Sequence, residues 1–394
     1  MAKPFRLLIT AFDYRPRLGG VATCADHLAE ALARRDDMDV LVLAPHHPDE
    51  KHHDQGRPFP VKRVTLPDEA FLAVTPFSWR IRRAAKEFKP NAILNTLWLP
   101  DALATAAANS LWGIATPYYI LTHAVEVLES NRTLKKRIRQ SLQGLKYRCF
   151  RGAKKIFAVS DYTKHLVHQN TQSPLEKIVT VFNGVDTKEF YPENASKNLI
   201  EKHQLQGKTV LLTISRLVPN KGVDQVLAAL AKLSPLSHYM KYLICGTGPD
   251  ENRLRQLSSN YKLDRVVEFV GAVHPQDLRD YYNVCDVFLL VSREDLNLPA
   301  TEGFGIVFLE AAACGKPSIG GDSGGIPDAI KNGVTGWLVP PSNPDQLANT
   351  LKSVLLDPVE RKKRGDAALL RVRSEFTWDH IAEKFARQFI EDQL

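Results

Sequence analysis

Apolar residues along this chain come in short unbroken runs rather than in alternation with polar ones. In the first half the runs are RLLITAF, DVLVLAP, NAILNTL, YYILTHA, KKIFAVS and KIVTVFN. In the second they are TVLLTIS, KYLICGTG, VVEFVGAV, DVFLLVS and KPSIGGD. Such runs are expected of parallel strands whose two faces are both covered. Between them lie segments such as VDQVLAALAKL and PDQLANTLKSVLL, whose apolar residues recur at helical spacing and predict crossover helices. Strand and helix alternate along both halves. This predicts an α/β fold of two doubly wound parallel-sheet domains in tandem, divided in the polar stretch that follows the NGVD of residues 183–186.

That architecture restricts where chemistry can sit. In open parallel sheets ligands bind beyond the carboxyl ends of the strands, where helix N-termini direct N–H groups outward. Three segments of the second half fall there. TVLLTIS leads to Arg216 and then to Lys221 at a helix start; KYLIC leads to a turn containing Gly246 and Gly248; DVFLLVS leads to Glu302, Gly303, Phe304 and Gly305. Two cations, a glycine turn and a helix start on one sheet edge suit a diphosphate, although the cations by themselves also fit a solvated face. In TEGFGIVFLE, residues 301–310, Glu302 and Glu310 would stand about 80° and roughly 12 Å apart on a continuous helix. Glycine disfavours that helix. A loop through Gly305 and a helix from near Ile306, with Glu310 just inside it, is the better local reading. A surface turn before an ordinary helix fits the same residues.

Composition narrows the class. The chain has 394 residues, 44% of them hydrophobic, and no apolar run long enough to span a membrane. Its N-terminus enters a strand without the apolar core of a signal peptide. Cys24, Cys149, Cys245, Cys285 and Cys314 occur singly, which favours a reducing, cytoplasmic setting and leaves the sequons at Asn131 and Asn194 without meaning. The net charge of +8 is uneven: residues 1–190 hold 28 Lys and Arg against 19 Asp and Glu, the remainder 24 against 25. A basic surface attracts nucleic acid, anionic membrane or anionic substrate. Residues 131–155 hold ten Lys and Arg and no acid, with Leu134, Ile138, Leu142, Leu145 and Cys149 at helical spacing; residues 76–88 form a second basic segment with Phe77, Trp79 and Ile81. Both segments fit crossover helices packed on the sheet, and both fit a peripheral contact with the inner face of the cytoplasmic membrane. They carry no nucleic-acid recognition pattern, and no nucleic-acid partner is expected. No metal is expected either. Asp37 and Asp39 form an Asp-x-Asp at the edge away from the ligand side, and His46, His47, His52 and His53 match no ligand spacing.

The segment EGFGIVFLEAAACGKPSIGGDSGGIPDAI resembles the signature of the large retaining glycosyltransferase family four, and within that family it is nearest the phosphatidylinositol mannosyltransferase branch. Further motifs follow in the family's order: Arg15 and Pro16 with Gly19 and Gly20, HAVE at His123, SDYTK, VFNGVDTKEF, SRLVPNKG, GTGP, FVGAV and FTWDHIAEKF. The resemblance implies a GT-B architecture of two Rossmann-like domains facing each other across a cleft. Residues 1–190 would bind the acceptor and 191–376 the nucleotide-sugar donor, with a helix over 377–394 returning to the first domain. It implies that Arg216 and Lys221 hold the pyrophosphate, Glu302 the transferred sugar and Glu310 the ribose. The backbone at Phe304, Gly305, Ile306 and Val307 would face the phosphates and sugar. Gly246 and Gly248 belong to the donor site, Val273 lies beside the base, Gly19 and Gly20 approach the phosphates or acceptor, and His123 bonds the sugar. Asp13 and Glu126 are weaker candidates.

The activity implied is retaining transfer of a hexosyl group from GDP-mannose or a UDP-hexose to a hydroxyl of a glycan or lipid-linked acceptor, without a cofactor. Glu302 would act by position and charge while the departing phosphate takes the acceptor's proton. The competing readings are a nucleotide-sugar epimerase or hydrolase on the same scaffold and, from another class, a nucleic-acid-binding protein.

Overall fold

The computed structural model describes residues 3–128, 136–294 and 301–392, with the backbone alone for 136–142. The chain divides into two units. The first is Met1–Gly184 together with Trp378–Leu394, and the second is Val185–Thr377.

Among the described residues the first unit holds a parallel sheet of seven strands: β1 (Phe5–Thr10), β2 (Met38–Pro45), β3 (Val61–Val64), β4 (Ala92–Asn95), β5 (Tyr118–Thr122), β6 (Ile156–Ala158) and β7 (Ile178–Thr180). Their spatial order is β3-β2-β1-β4-β5-β6-β7. The second unit holds six: β8 (Thr209–Ile214), β9 (Met240–Cys245), β10 (Val267–Gly271), β11 (Val287–Leu290), β12 (Ser318–Gly321) and β13 (Gly336–Val339), in the order β10-β9-β8-β11-β12-β13. The eleven apolar runs of the sequence are β1, β2, β4 to β7 and β8 to β12. The two strands the runs do not mark, β3 and β13, are four-residue edge strands. An edge strand is covered on fewer sides, so VKRV keeps two cations where a central strand would not.

The interior of each sheet explains those runs. Leu8, Ile93, Ile120 and Ile156 lie fully buried in the first core, and Leu211, Ile244, Leu289 and Ile319 in the second. Each such side chain contributes roughly 2 kcal/mol by leaving water. Local chemistry also sets where helices begin. Ser160 accepts a hydrogen bond from the Thr163 N–H at 2.9 Å to cap Asp161–Thr171, so the SDYTK motif is first of all a helix start. Asn343 caps Pro344–Leu356, with proline at the first helical position.

The chain re-enters the first unit at Trp378. The helix Trp378–Glu391 lays Phe385 and Phe389 on Phe157, and Phe389 also stacks on Phe5. Gly184 faces the Trp378 indole so closely that a Cβ would come within 2.6 Å of the ring. That contact accounts for the glycine of the NGVD motif.

Candidate functional site

In each sheet the strand order reverses beside the first strand of the unit, between β1 and β4 and between β8 and β11. Such switch points open a crevice at the carboxyl ends, because the neighbouring crossovers leave on opposite sides. Gly19 and Gly20 follow β1, Arg216 and Lys221 follow β8, and Glu302 to Glu310 follow β11, whereas His123, Gly246, Gly248 and Val273 follow other strands of the same sheets.

In the second unit one wall is the segment after β8. Arg216 is exposed and has no ion-pair partner among the described residues. Lys221 closes a short turn, Pro219–Lys221, ahead of the helix Val223–Ala231. Gly222 between them has φ 70° and sits so near β11's exit that a Cβ would lie 2.0 Å from the Val291 carbonyl oxygen. The other wall is the segment after β11. Here the Lys221 ammonium donates to Glu302 Oε2 at 2.6 Å, across 81 residues of sequence. A second tie runs alongside: Arg293 forms a two-pronged pair with Asp224, both contacts at 3.0 Å, and its N–H donates to the Asn220 carbonyl at 2.8 Å. Bidentate guanidinium–carboxylate pairs fix orientation as well as distance. The switch point is thus closed by two ion pairs side by side.

Beyond Glu302 the chain turns at Gly305, φ 93°, and the helix Ile306–Ala313 begins where the glycines predicted it. Its first N–H groups have no carbonyl one turn behind them and face outward at the sheet edge. Phe304 contributes only its backbone, since its ring is buried against Phe376. Ile306 and Val307 are half-buried. Glu310, one turn in, accepts a hydrogen bond from the Tyr282 hydroxyl at 2.6 Å. A third wall comes from β9. Gly246 and Gly248 admit the loop after β8: a Cβ at either would stand about 2 Å from the Ser215 or Leu217 carbonyl oxygen, at 1.9 and 2.1 Å. These glycines have a packing reason whether or not a ligand approaches them. Val273 lies half-buried in the segment after β10, which the Gly246 N–H ties in through the Gly271 carbonyl.

The first unit gathers different groups. The segment after β1 carries Asp13, and then Gly19 and Gly20 at the start of the helix Gly20–Ala33. Asp101, from the segment after β4, reaches across the switch point and accepts the Phe12 N–H at 2.9 Å. It is fully buried, and burial pushes its carboxyl well above the usual range. Asp13 is raised for the same reason, with Arg17 opposing. After β5 the His123 N–H donates to Glu126 at 2.5 Å. Burial lowers the His123 imidazole to about 4, with a hydrogen bond to the Thr96 backbone working the other way, and its Nε2 is buried without a hydrogen-bond partner. Burial raises Glu126 to about 7, opposed by the His123 N–H. Near neutrality the histidine is uncharged and the glutamate partly protonated.

The other candidates of the sequence have structural partners. Asp37 is held by Arg35 and Asp39 by Arg6. His53 lies between Asp54 at 3.0 Å and Asp26 at 3.5 Å, inside a network in which Arg57 binds Asp26 and Arg63 binds Asp54. His46 pairs with Glu50. Of the two basic segments, 76–88 lies in the helix Ala70–Phe88, where Phe77 and Ile81 are buried but Leu72 and Trp79 are exposed beside Arg83 and Lys86. Part of 131–155 falls outside the described residues. In the remainder Cys149 is buried and Leu145 exposed, so the apolar stripe is not buried throughout. No described helix is long and apolar enough to cross a membrane.

Sequence reasoning missed Tyr282, Arg293 with Asp224, and Asp101. The tyrosine lies in RDYYNV, which reads as an ordinary helix with apolar packing, and nothing in that pattern marks its hydroxyl. The pair in SRED and GVD could only be found by knowing that the two loops meet.

Comparison with known proteins finds matches along most of the chain. Residues 18–189 match the family described as Glycosyltransferase Family 4, and residues 195–371 match Glycosyl transferases group 1. A GDP-mannose-dependent alpha-(1-6)-phosphatidylinositol monomannoside mannosyltransferase of Mycobacterium tuberculosis is 28% identical over 389 residues, covering 97% of each chain. A GDP-mannose-dependent monoacylated alpha-(1-6)-phosphatidylinositol monomannoside mannosyltransferase of Corynebacterium glutamicum is 26% identical, covering 98% of this chain and 97% of its own. Among solved structures, sucrose-phosphate synthase from Thermosynechococcus elongatus superposes with a TM-score of 0.79 at 21% identity, covering 99% of both chains. Anabaena HepE in complex with UDP and glucose gives 0.77 at 21% identity, over 98% of this chain and all of that one.

Proposed function

The chain belongs to glycosyltransferase family 4, and from that premise we propose that it moves a mannosyl group from GDP-mannose to a hydroxyl of a lipid-linked acceptor, with retained anomeric configuration. It is a glycosyltransferase of GT-B architecture that uses a nucleotide sugar; the sugar, the acceptor and the residue roles are our reading. The observation that carries it is the Lys221–Glu302 pair at the switch point, with Arg216 exposed in the same segment after β8 and a helix starting at Ile306.

In this reading the diphosphate lies between Arg216, Lys221 and the first-turn N–H groups of Ile306 and Val307. An ammonium has three donors, so Lys221 can keep Glu302 and still donate to phosphate. As the bond from the anomeric carbon to the phosphate oxygen breaks, negative charge grows on the leaving diphosphate, and fixed cations stabilise that state more than the ground state. The acceptor oxygen forms the new bond to the same carbon from the same face, and its proton passes to the departing phosphate oxygen. Glu302 holds sugar hydroxyls. A carboxylate already bound to an ammonium at 2.6 Å is a weak nucleophile, which favours this course over a covalent glycosyl intermediate. Glu310 takes the ribose, Val273 lies beside the base, and Gly246 and Gly248 shape the donor loops. In the first unit, Gly19, Gly20 and His123 are our candidates for contacts with the acceptor and the sugar. The cations do the work for which other transferases use a metal.

Two observations support a lipid-linked acceptor reached at an anionic membrane surface. The related mannosyltransferases are named for phosphatidylinositol acceptors. The helix Ala70–Phe88 also leaves Leu72 and Trp79 in solvent beside Arg83 and Lys86, an arrangement suited to an anionic lipid interface. A donor screen tests the core of the proposal. GDP-mannose should raise the midpoint of thermal unfolding and be slowly hydrolysed to GDP, and UDP-glucose should do neither. A UDP-hexose response in place of GDP-mannose overturns the donor assignment, and silence with all donors overturns the reading.

A further inference from the structure

We propose that Tyr282 is a positioning residue that sets how strongly the site discriminates a ribonucleotide from a deoxyribonucleotide, by holding the Glu310 carboxylate through its hydroxyl. The inference rests on the assignment of Glu310 to the ribose.

Tyr282 lies in the short helix Leu278–Val284, on an element that supplies no other residue to the site. It is fully buried, and its hydroxyl donates to Glu310 Oε2 at 2.6 Å. The ring has little room to turn: Phe190 meets it edge-on at 5.7 Å and Phe288 packs against it at a tilt, also at 5.7 Å. Beside a neighbouring aromatic wall the ring is fixed, and the ring fixes the oxygen. A glutamate side chain has three rotatable bonds, and each one fixed before binding lowers the ordering cost that a ligand must meet. Tied to a rigid donor, the carboxylate is held in one orientation before any nucleotide arrives. Hydrogen bonds from sugar hydroxyls to a charged acceptor are strong only when the acceptor is already in place and does not have to be ordered on binding. Burial and the neighbouring Glu310 charge push the phenol well above its ordinary range, so the hydroxyl keeps its proton and remains a donor near neutral pH.

A tyrosine in this place is also a costly choice for packing alone. A phenylalanine would fill the same volume without burying a hydroxyl, and a buried hydroxyl is tolerated because it has a partner. That partner is one of the two glutamates of the EGFGIVFLE segment.

The test is the affinity of the full chain for GDP and for 2′-deoxy-GDP and 3′-deoxy-GDP, by titration calorimetry. In the unaltered protein, loss of one ribose hydroxyl should weaken binding about 10-fold or more. In Tyr282→Phe the penalty should shrink to about 3-fold or less, with the deoxy analogues bound nearly as before. A merely structural role would weaken GDP and its analogues alike and leave their ratio unchanged, and that result overturns the inference. Glu310→Ala separates the two claims. If it keeps the full discrimination, the ribose assignment itself fails; if it loses discrimination while Tyr282→Phe keeps it, only the role of Tyr282 fails. Should Tyr282→Phe not fold, 3-fluorotyrosine at position 282 allows fluorine NMR on the intact site. Its resonance should shift in Glu310→Gln and on adding GDP, and shift less with the deoxy analogues. A resonance indifferent to all of these also overturns the proposal.

Discussion

The two units share one architecture and close their switch points in opposite ways. In the second unit the loops after the first and fourth strands are joined by charges: Lys221 with Glu302, and Arg293 with Asp224. In the first unit the corresponding loops are joined by Asp101, a fully buried carboxyl pushed towards its neutral form and bonded to a backbone N–H. His123 and Glu126 nearby are shifted the same way, each towards the uncharged state. Partly exposed ion pairs can re-partner with a charged ligand without leaving a bare charge. Buried neutral groups handle hydroxyls, and would resist a phosphate. In the function proposed above, one fold would thereby serve a charged and an uncharged substrate group, and the difference would lie in how far burial neutralises the groups of each crevice.

The largest test of that contrast is Lys221→Ala. Removing a fixed cation from a developing diphosphate should lower kcat by about 100- to 1000-fold, and it also leaves Glu302 without its counter-charge. Turnover of the best donor within 10-fold of the unaltered protein would break the view of the second unit as the anion side.

Next come two glycines placed alike, each just after the first strand of its unit. Gly222→Ala must put a Cβ into the Val291 carbonyl from a left-handed backbone, and should cost about 2 kcal/mol or more of stability. At Gly20 nothing lies within 4 Å of such a Cβ, and Gly20→Ala should change stability by less than about 0.5 kcal/mol. Urea unfolding measures both. Any loss of turnover in Gly20→Ala then reports crowding of a substrate rather than damage to the fold.

The last test concerns pH. A carboxyl raised from 4.5 to about 7 on folding contributes stability that is present below about 4.5 and lost as pH rises to about 7. Glu126→Gln keeps an acceptor for the His123 N–H and removes the titration. Between pH 4.5 and 7 the unaltered protein should lose up to about 3 kcal/mol relative to the variant. His123, lowered to about 4 from 6.5, works in the other direction and costs stability as pH falls through that interval. Parallel urea midpoints for the two proteins across this range would show that Glu126 is not desolvated.

Much of the fold was legible because burial on both faces of a central strand requires an unbroken apolar run, and β1, β2, β8 and β9 obey it. The start of the helix at Ile306 was legible as well, since Gly303 and Gly305 forbid it earlier. β3 and β13 were not, because an edge strand needs no such run. The glycines of GTGP were noticed for a ligand, but their contact with the Ser215 and Leu217 carbonyls could not be read from them.

The sequence by itself determined the alternation of strand and helix, the strand ends at which chemistry collects, and the family signature, because periodicity and turn chemistry act over a few residues. Tertiary structure alone decided that Lys221 meets Glu302, that Arg293 clasps Asp224, that Tyr282 holds Glu310, and that burial disarms the charge of Asp101 and shifts His123. These are contacts and desolvations between segments far apart in the chain. They depend on where the sheet order reverses, which no local pattern of residues encodes.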